Sequence, residues 1–555
     1  MKNALIITVS ALALASCGGE SSTTNGPQTT QVDEATASSA LEALHLANSG
    51  DGAVSWQSRT FDDGVYTFTG LSFVFPDDGD DDDEGDDDAV KNEETGEAEL
   101  PSEDTHTVNA ETMTLAGPRF DAAGNVIFDR LSIAGIGIAE SDEDVSGTIA
   151  RFVVESPNAV MAVAIADGFS GEDVDDSDMN EDDWTYGLLA IEGLSISGSE
   201  DGNTFTAALG LLSLSDVAQH SIGRFELSDL VIEGTDDEIG IINIRLDEIS
   251  ADGIGEALTY PFAAQFALMN AVLDDDTPNE DITAEMPDMP EGFDPLNAYE
   301  HAAVRGLDIN VGGVTVTLDS MTADVENDGN EVRYTSAMTP LIIAPDTNYP
   351  LGAQMAMGLG MLGYQRLEIV SGGASVYERD ADRAYTTDEN YLELRDGFRV
   401  EVESDLSGLI AYSMAAMQLG YGMDEPDPEQ VIAMLEPLVL NSFVFRLQDL
   451  SLLDRALTAA SAAQGLPKEQ LRQQAGAMIT LGTMAAPAEI PRALVTQFST
   501  AMTNFIANGG SVEFRMEPES PVSVGEIFAQ AEAGTVDVEA LGITVTAIEP
   551  DGADD

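Results

Sequence analysis

One short phrase recurs along the chain and limits its folding choices more than any other feature. Gly70-Leu71-Ser72-Phe73 is followed by Leu131-Ser132-Ile133, Gly193-Leu194-Ser195-Ile196, Leu230-Val231-Ile232, Gly306-Leu307-Asp308-Ile309 and Leu367-Glu368-Ile369. Each sets apolar side chains two residues apart, the period of a strand with one face on a core and one in water. Turn residues lie between such segments: Glu200-Asp201-Gly202-Asn203 and Asn327-Asp328-Gly329-Asn330 both suit hairpin loops. The spacing of the phrase is irregular, which excludes a solenoid of fixed period. It leaves diverged strand modules with insertions, or chance recurrence of a common Leu-x-Ile pattern.

Apolar helical segments interrupt the strands. Pro261 opens one, with Phe262, Phe266, Met269 and Leu273 at helical spacing; a second runs from about Leu406 to Gly420, striped by Ile410, Met414, Met417 and Tyr421. Methionine gathers in these segments and at Met355, Met357 and Met361, where flexible thioethers suit irregular apolar surfaces. Beyond about residue 424 helical patterns dominate: Pro428 to Leu438, Leu452 to Gly465, Pro467 to Met484 and Ile490 to Asn508. The last carries Leu494, Phe498, Met502 and Phe505 on one side and stops at Gly509-Gly510. Strand patterns at Phe443 to Leu450, Val512 to Met516 and Ile543 to Val545 lie in the same region. The expected fold is α+β and β-rich: an extended, mostly antiparallel sheet built from diverged strand modules, with short apolar covering helices and a more helical C-terminal region. The expected organisation is a β-rich body over 41–423, with an acidic insertion at 77–104, and a helix-rich region over 424–555.

Charge narrows function. The 555 residues include 102 Asp and Glu against 21 Lys and Arg, a formal charge of −81, yet 43% are hydrophobic, so the chain folds. Nucleic-acid binding requires clustered cations, and Lys2, Lys91 and Lys468 are the only lysines. Strong like charge favours a soluble monomer. Crowding of so many carboxylates also predicts carboxyl groups held above their ordinary pKa range.

The N-terminus assigns a destination. Lys2 precedes an apolar stretch from Ala4 to Leu14, too short to span a bilayer and of the length of a secretory signal. Leu14-Ala15-Ser16-Cys17 follows, and Cys17 is the only cysteine, which excludes an intrachain disulfide. This motif resembles the lipobox of bacterial lipoproteins. The resemblance implies that residues 1–16 are a signal peptide and that Cys17, carrying diacylglycerol and a further acyl chain such as palmitate, becomes the first mature residue. Gly18-Gly19 in place of an aspartate implies export to the outer membrane, with the chain held in the cell envelope through its lipid. A Ser-, Thr- and Gly-rich run makes 17–40 a flexible tether.

No motif points to catalysis. Asp77 to Asp88 holds ten carboxylates in twelve residues, a self-repelling run suited at most to weak uptake of divalent cations such as calcium. The cluster Glu172 to Asp183 and the triplet Asp324-Glu326-Asp328 lack the glycine or glutamate an EF-hand requires. His45, His106, His220 and His301 are too scattered for a zinc motif. Gly358-Leu359-Gly360-Met361-Leu362-Gly363 has the dinucleotide spacing but the wrong context, a helix before it and a strand after it. No catalytic, cofactor-binding or metal-binding residue is therefore expected. Two readings of function remain. The first is a non-enzymatic envelope lipoprotein with a structural or binding role, its sheet suited to an apolar or lipid ligand. The alternative is a periplasmic or surface hydrolase using paired carboxylates.

Overall fold

The computed structural model describes residues 29–76, 105–139, 145–171, 184–200, 203–219, 221–236, 239–260, 293–387, 390–420, 428–484 and 490–550. Cys17, the signal region, the acidic insertion 77–104, the cluster at 172–183, His220 and the helix expected at Pro261 lie outside them. The chain forms two compact units, Met1–Ser228 and Asp229–Asp555. Both are strand-rich and antiparallel, so the α+β, β-rich class holds.

Unit 1 is a meander in which each strand pairs with the next: β1 (Ser58–Asp62), β2 (Val65–Pro76), β3 (Thr105–Ala116), β4 (Arg130–Ala139), β5 (Val145–Glu155), β6 (Tyr186–Glu200) and β7 (Asn203–Ala218). Helices α1 (Glu34–Ala43) and α2 (Ala159–Ser170) belong to the same unit. The division between units falls inside β8 (Ser221–Asp236).

In unit 2, β9 (Gly240–Ile254), β10 (His301–Val311), β11 (Val314–Asp328), β12 (Glu331–Pro345) and β13 (Leu367–Glu378) pair in sequence. The short strands β14 (Arg383–Thr386) and β15 (Tyr391–Leu394) both bridge β13 to β16 (Phe398–Ser407). The ladder then continues through β17 (Val439–Asp449), β18 (Ser511–Met516) and β19 (Thr544–Ile548). Its helices are α3 (Pro350–Met361), α4 (Leu409–Gly420), α5 (Pro428–Leu435), α6 (Leu452–Gln464), α7 (Lys468–Met484), α8 (Arg492–Asn508) and α9 (Val524–Glu532).

Two expected boundaries move. Helix α1 begins inside the supposed tether: the Asp33 carboxylate accepts from the Ala35 and Thr36 amides, and Ala37, Ala40 and Leu41 are buried. Upstream, the Thr30 amide donates to the nearly buried Asp129 carboxylate at 2.5 Å, so the chain is already fixed at residue 30. Composition misled because small Ser, Thr and Ala residues also build the packed face of a helix. The boundary near 424 also fails, since β16 and β17 pair along their whole length across it.

The recurring phrase has a structural meaning. Gly70, Gly135 and Gly193 have φ of +63°, +67° and +64° in mid-strand. They stand in one row across the unit 1 sheet, with Glu111 and Ala150 between them. At this row the inward side of each strand changes parity: Tyr66 and Phe68 are buried before Gly70, and Leu71 and Phe73 after it. A left-handed residue turns the chain by half a pleat, so the sheet creases while its core side stays apolar. Neighbours fill the missing Cβ space; one added at Gly193 meets the Ala150 methyl at 2.7 Å. Unit 2 repeats the device at Gly306 (φ +64°), opposite Asp247 and Asp319. On β12 the row meets Pro340, which lacks an N–H. The Thr339 hydroxyl accepts from the Ser320 amide and donates to its carbonyl, both at 2.8 Å.

Candidate functional site: an apolar sheet face in unit 2

Because directly paired residues share a face, the register places one apolar row across unit 2. Ile244 pairs with Ile309, Ile309 with Val316, Val316 with Ile343 and Ile343 with Leu367. One step toward the crease, Leu341 pairs with Ile369, Ile369 with Leu394 and Leu394 with Phe398. Beyond these, Val400 pairs with Leu447, Leu447 with Val512 and Val512 with Ala547.

The two ends of this belt differ. Over β17–β19, helix α8 covers it: Ala501 and Phe505 are buried with Val512 and Val545, while Leu494, Met502 and Ile506 pack around them. Phe498, expected on the same stripe, is instead 46% exposed. Over β9–β13 only Leu246 and Leu318, beside the crease, are buried; Ile244, Ile309, Val316, Ile343, Leu367 and Ile369 are half-buried. The other side of the crease closes again, where Val325, Val332 and Tyr377 form a small core with Leu296, against which Leu409 and Ile410 at the start of α4 pack. The Tyr377 hydroxyl donates to Asp382 at 2.7 Å, and burial, reinforced by that carboxylate, raises its pKa.

The reverse face of the sheet is ionic. Arg446 binds Glu401 at 2.5 Å and Glu513 at 2.8 Å; Arg399 reaches Glu401 and Glu393, and Arg515 reaches Glu513 and Glu517. Burial pushes the Glu513 carboxyl up, but the hydrogen bonds from Arg446 and Arg515 outweigh it and hold it below its ordinary range. Arg383 does the same for Asp405, and Arg395 with Arg366 for Glu368. The carboxyls with displaced pKa thus move downward among the described residues, opposite to the expectation from charge crowding. Scarce arginines sit where a carboxylate on each side can share them.

Other expected features fall as follows. His301 Nδ1 lies 2.6 Å from Asp324 Oδ1, but no cluster of three metal-ligating side chains occurs among the described residues. His45 and His106 belong to unit 1. Gly358 and Gly360 lie in α3, and Gly363 ends it ahead of strand β13, the helix-then-strand order that a dinucleotide site does not use. The apolar belt escaped sequence reading because its members come from ten strands. The one signal was the pair of apolar residues, two apart, in each recurring phrase.

A family model described as "Uncharacterized protein" matches residues 391–548, the span holding the ionic ladder and the α8-covered end of the belt. No curated protein matches the chain.

Proposed function

We propose that the chain is a non-enzymatic lipoprotein of the cell envelope, exported by residues 1–16 and anchored through Cys17 to the outer membrane, whose unit 2 sheet holds an apolar or lipid ligand. The observation that carries the ligand is the half-buried stretch of belt over β9–β13. Folding there lines apolar side chains up on one face and, among the described residues, leaves them only half covered. Each methylene that such a face takes out of water contributes about 0.8 kcal/mol, so a long acyl chain binds it well. The strands that bend at Gly70, Gly135, Gly193 and Gly306 are read as copies of one module with insertions of different length. Supporting this, each sets its glycine at a crease and the next apolar residues inward.

The test is titration of the purified chain with a fluorescent long-chain fatty acid. Saturable binding is expected, weakened about tenfold or more by Ile343→Asp on the belt. Ile342→Asp, on the reverse face, should leave it unchanged. No saturable binding, or equal effects of the two substitutions, overturns the reading. The anchor is tested separately: Cys17→Ser should abolish acyl labelling and membrane fractionation.

A further inference from the structure

Helix α3 connects β12 to β13 at the end of the belt away from the crease. The β10–β11 turn is Gly312-Gly313, flanked by Val311 and Val314 of the last apolar row. The Gly352 amide donates to the Gly312 carbonyl at 3.3 Å, and the Asp346 amide to Gly313 at 2.6 Å. The Tyr349 side chain lies within 2.6 Å of where a Cβ on Gly313 would sit, and Leu351 packs beside Gly312. The start of α3 is therefore pinned to the end of the belt.

The remainder of the helix is built unlike a packed helix. Residues 347–365 contain no charged side chain, in a chain that is 22% charged. Only Gly352 of α3 is buried, and Leu351, Met357 and Met361 are 45%, 67% and 65% exposed. Gly358 and Gly360 have no atom near an added Cβ, so packing does not require them, yet each weakens a helix by about 1 kcal/mol relative to alanine. An exposed, deformable, uncharged Met-rich helix gains from a partner that is itself apolar, yielding and uncharged on average. For a chain of charge −81 a bilayer can be approached only through a patch without carboxylates. α3 supplies one, at the end of an apolar belt.

We infer that α3 docks into the interface of a zwitterionic bilayer, so that an acyl chain can pass between the membrane and the unit 2 sheet. The inference rests on the envelope reading above.

Cys17 is the sole cysteine, so the full chain carrying Cys17→Ser accepts single labelling sites. An environment-sensitive fluorophore placed at Met357→Cys, Met361→Cys or, as control, Met478→Cys on α7 is titrated with phosphatidylcholine vesicles. Blue shift and rising intensity are expected at 357 and 361 and absent at 478. Replacing half the lipid with phosphatidylglycerol should weaken the response at low salt. No change at 357 and 361, or an equal change at 478, overturns the docking surface. Fatty-acid titration of the same proteins separates the two ideas: probe binding without vesicle response removes only the docking surface, and vesicle response without probe binding removes only the ligand reading.

Discussion

The two units use the same strands and the same crease, yet they finish their cores differently. Unit 1 closes. Phe68, Met113, Leu115, Leu131, Val153 and Leu214 are at most 2% exposed, and α1 and α2 contribute Leu41, Ala162 and Phe169 to its buried residues. Unit 2 is the longer, yet of its buried hydrophobic residues among those described only Val332, Val376, Tyr377 and Leu541 are so completely enclosed. Its apolar sheet side is divided into a small core beside α4, a second under α8, and the half-covered belt between. Among the described residues, one sheet design serves as a closed core in one place and as a half-covered face in another.

That contrast can be broken most sharply by truncation. Phe68→Ala in unit 1 should cost about 3–5 kcal/mol, whereas Ile343→Ala in unit 2 should cost about 1 kcal/mol because its site is already half in water. Both tryptophans, Trp56 and Trp184, lie in unit 1, so fluorescence in urea follows that unit while far-UV circular dichroism follows both. Equal losses would mean that the belt is core after all.

The crease gives the next largest effect. Gly193→Val adds a β-branched residue at positive φ and drives it into the Ala150 methyl, for an expected loss of about 3 kcal/mol. Gly329→Ala, at the β11–β12 turn with φ +70° and open space around it, should cost about 1 kcal/mol. If the two matched, the crease would tolerate a side chain and would not set the bend.

Removing one shared cation comes third. Arg446→Met leaves the largely buried Glu513 with Arg515 alone and Glu401 with Arg399, and should cost about 2 kcal/mol in unit 2. The fluorescence transition of unit 1 should not move.

Acid should distinguish the units least, but with a definite sign. Glu368, Asp405 and Glu513 in unit 2 have pKa values lowered by arginine. Their stabilisation is complete above the unfolded carboxylate range near 4 and disappears as pH falls through their folded values, because the unfolded chain then binds more protons. The urea midpoint seen by circular dichroism should thus fall between about pH 4.5 and 3, less steeply in Arg446→Met. A midpoint that rises over that interval would show that carboxylate repulsion outweighs these pairs.

Much of this architecture was legible residue by residue. Period-two alternation located the strands from Gly70 to Ile369, and helical spacing located α6, α7 and α8 to within a few residues. Such patterns are local, because a strand or helix must show its apolar period within one run of chain. The glycines that open three of the phrases, Gly70, Gly193 and Gly306, were visible too, but their role was not. A glycine at positive φ matters here only because Glu111, Ala150 or Asp247 on the next strand occupies the space a Cβ would need.

The chain's own order of residues determined a β-rich fold with a helical C-terminal part, a strong negative charge and a single cysteine behind an apolar stretch. Tertiary structure alone decided that β16 and β17 join across residue 424, that Arg446 serves two carboxylates, and that Ile309, Val316 and Ile343 form one row. It alone left that row half-covered. The physical reason is that periodicity states which side of a strand avoids water, while register and the supply of covering helices decide what, if anything, comes to shield it.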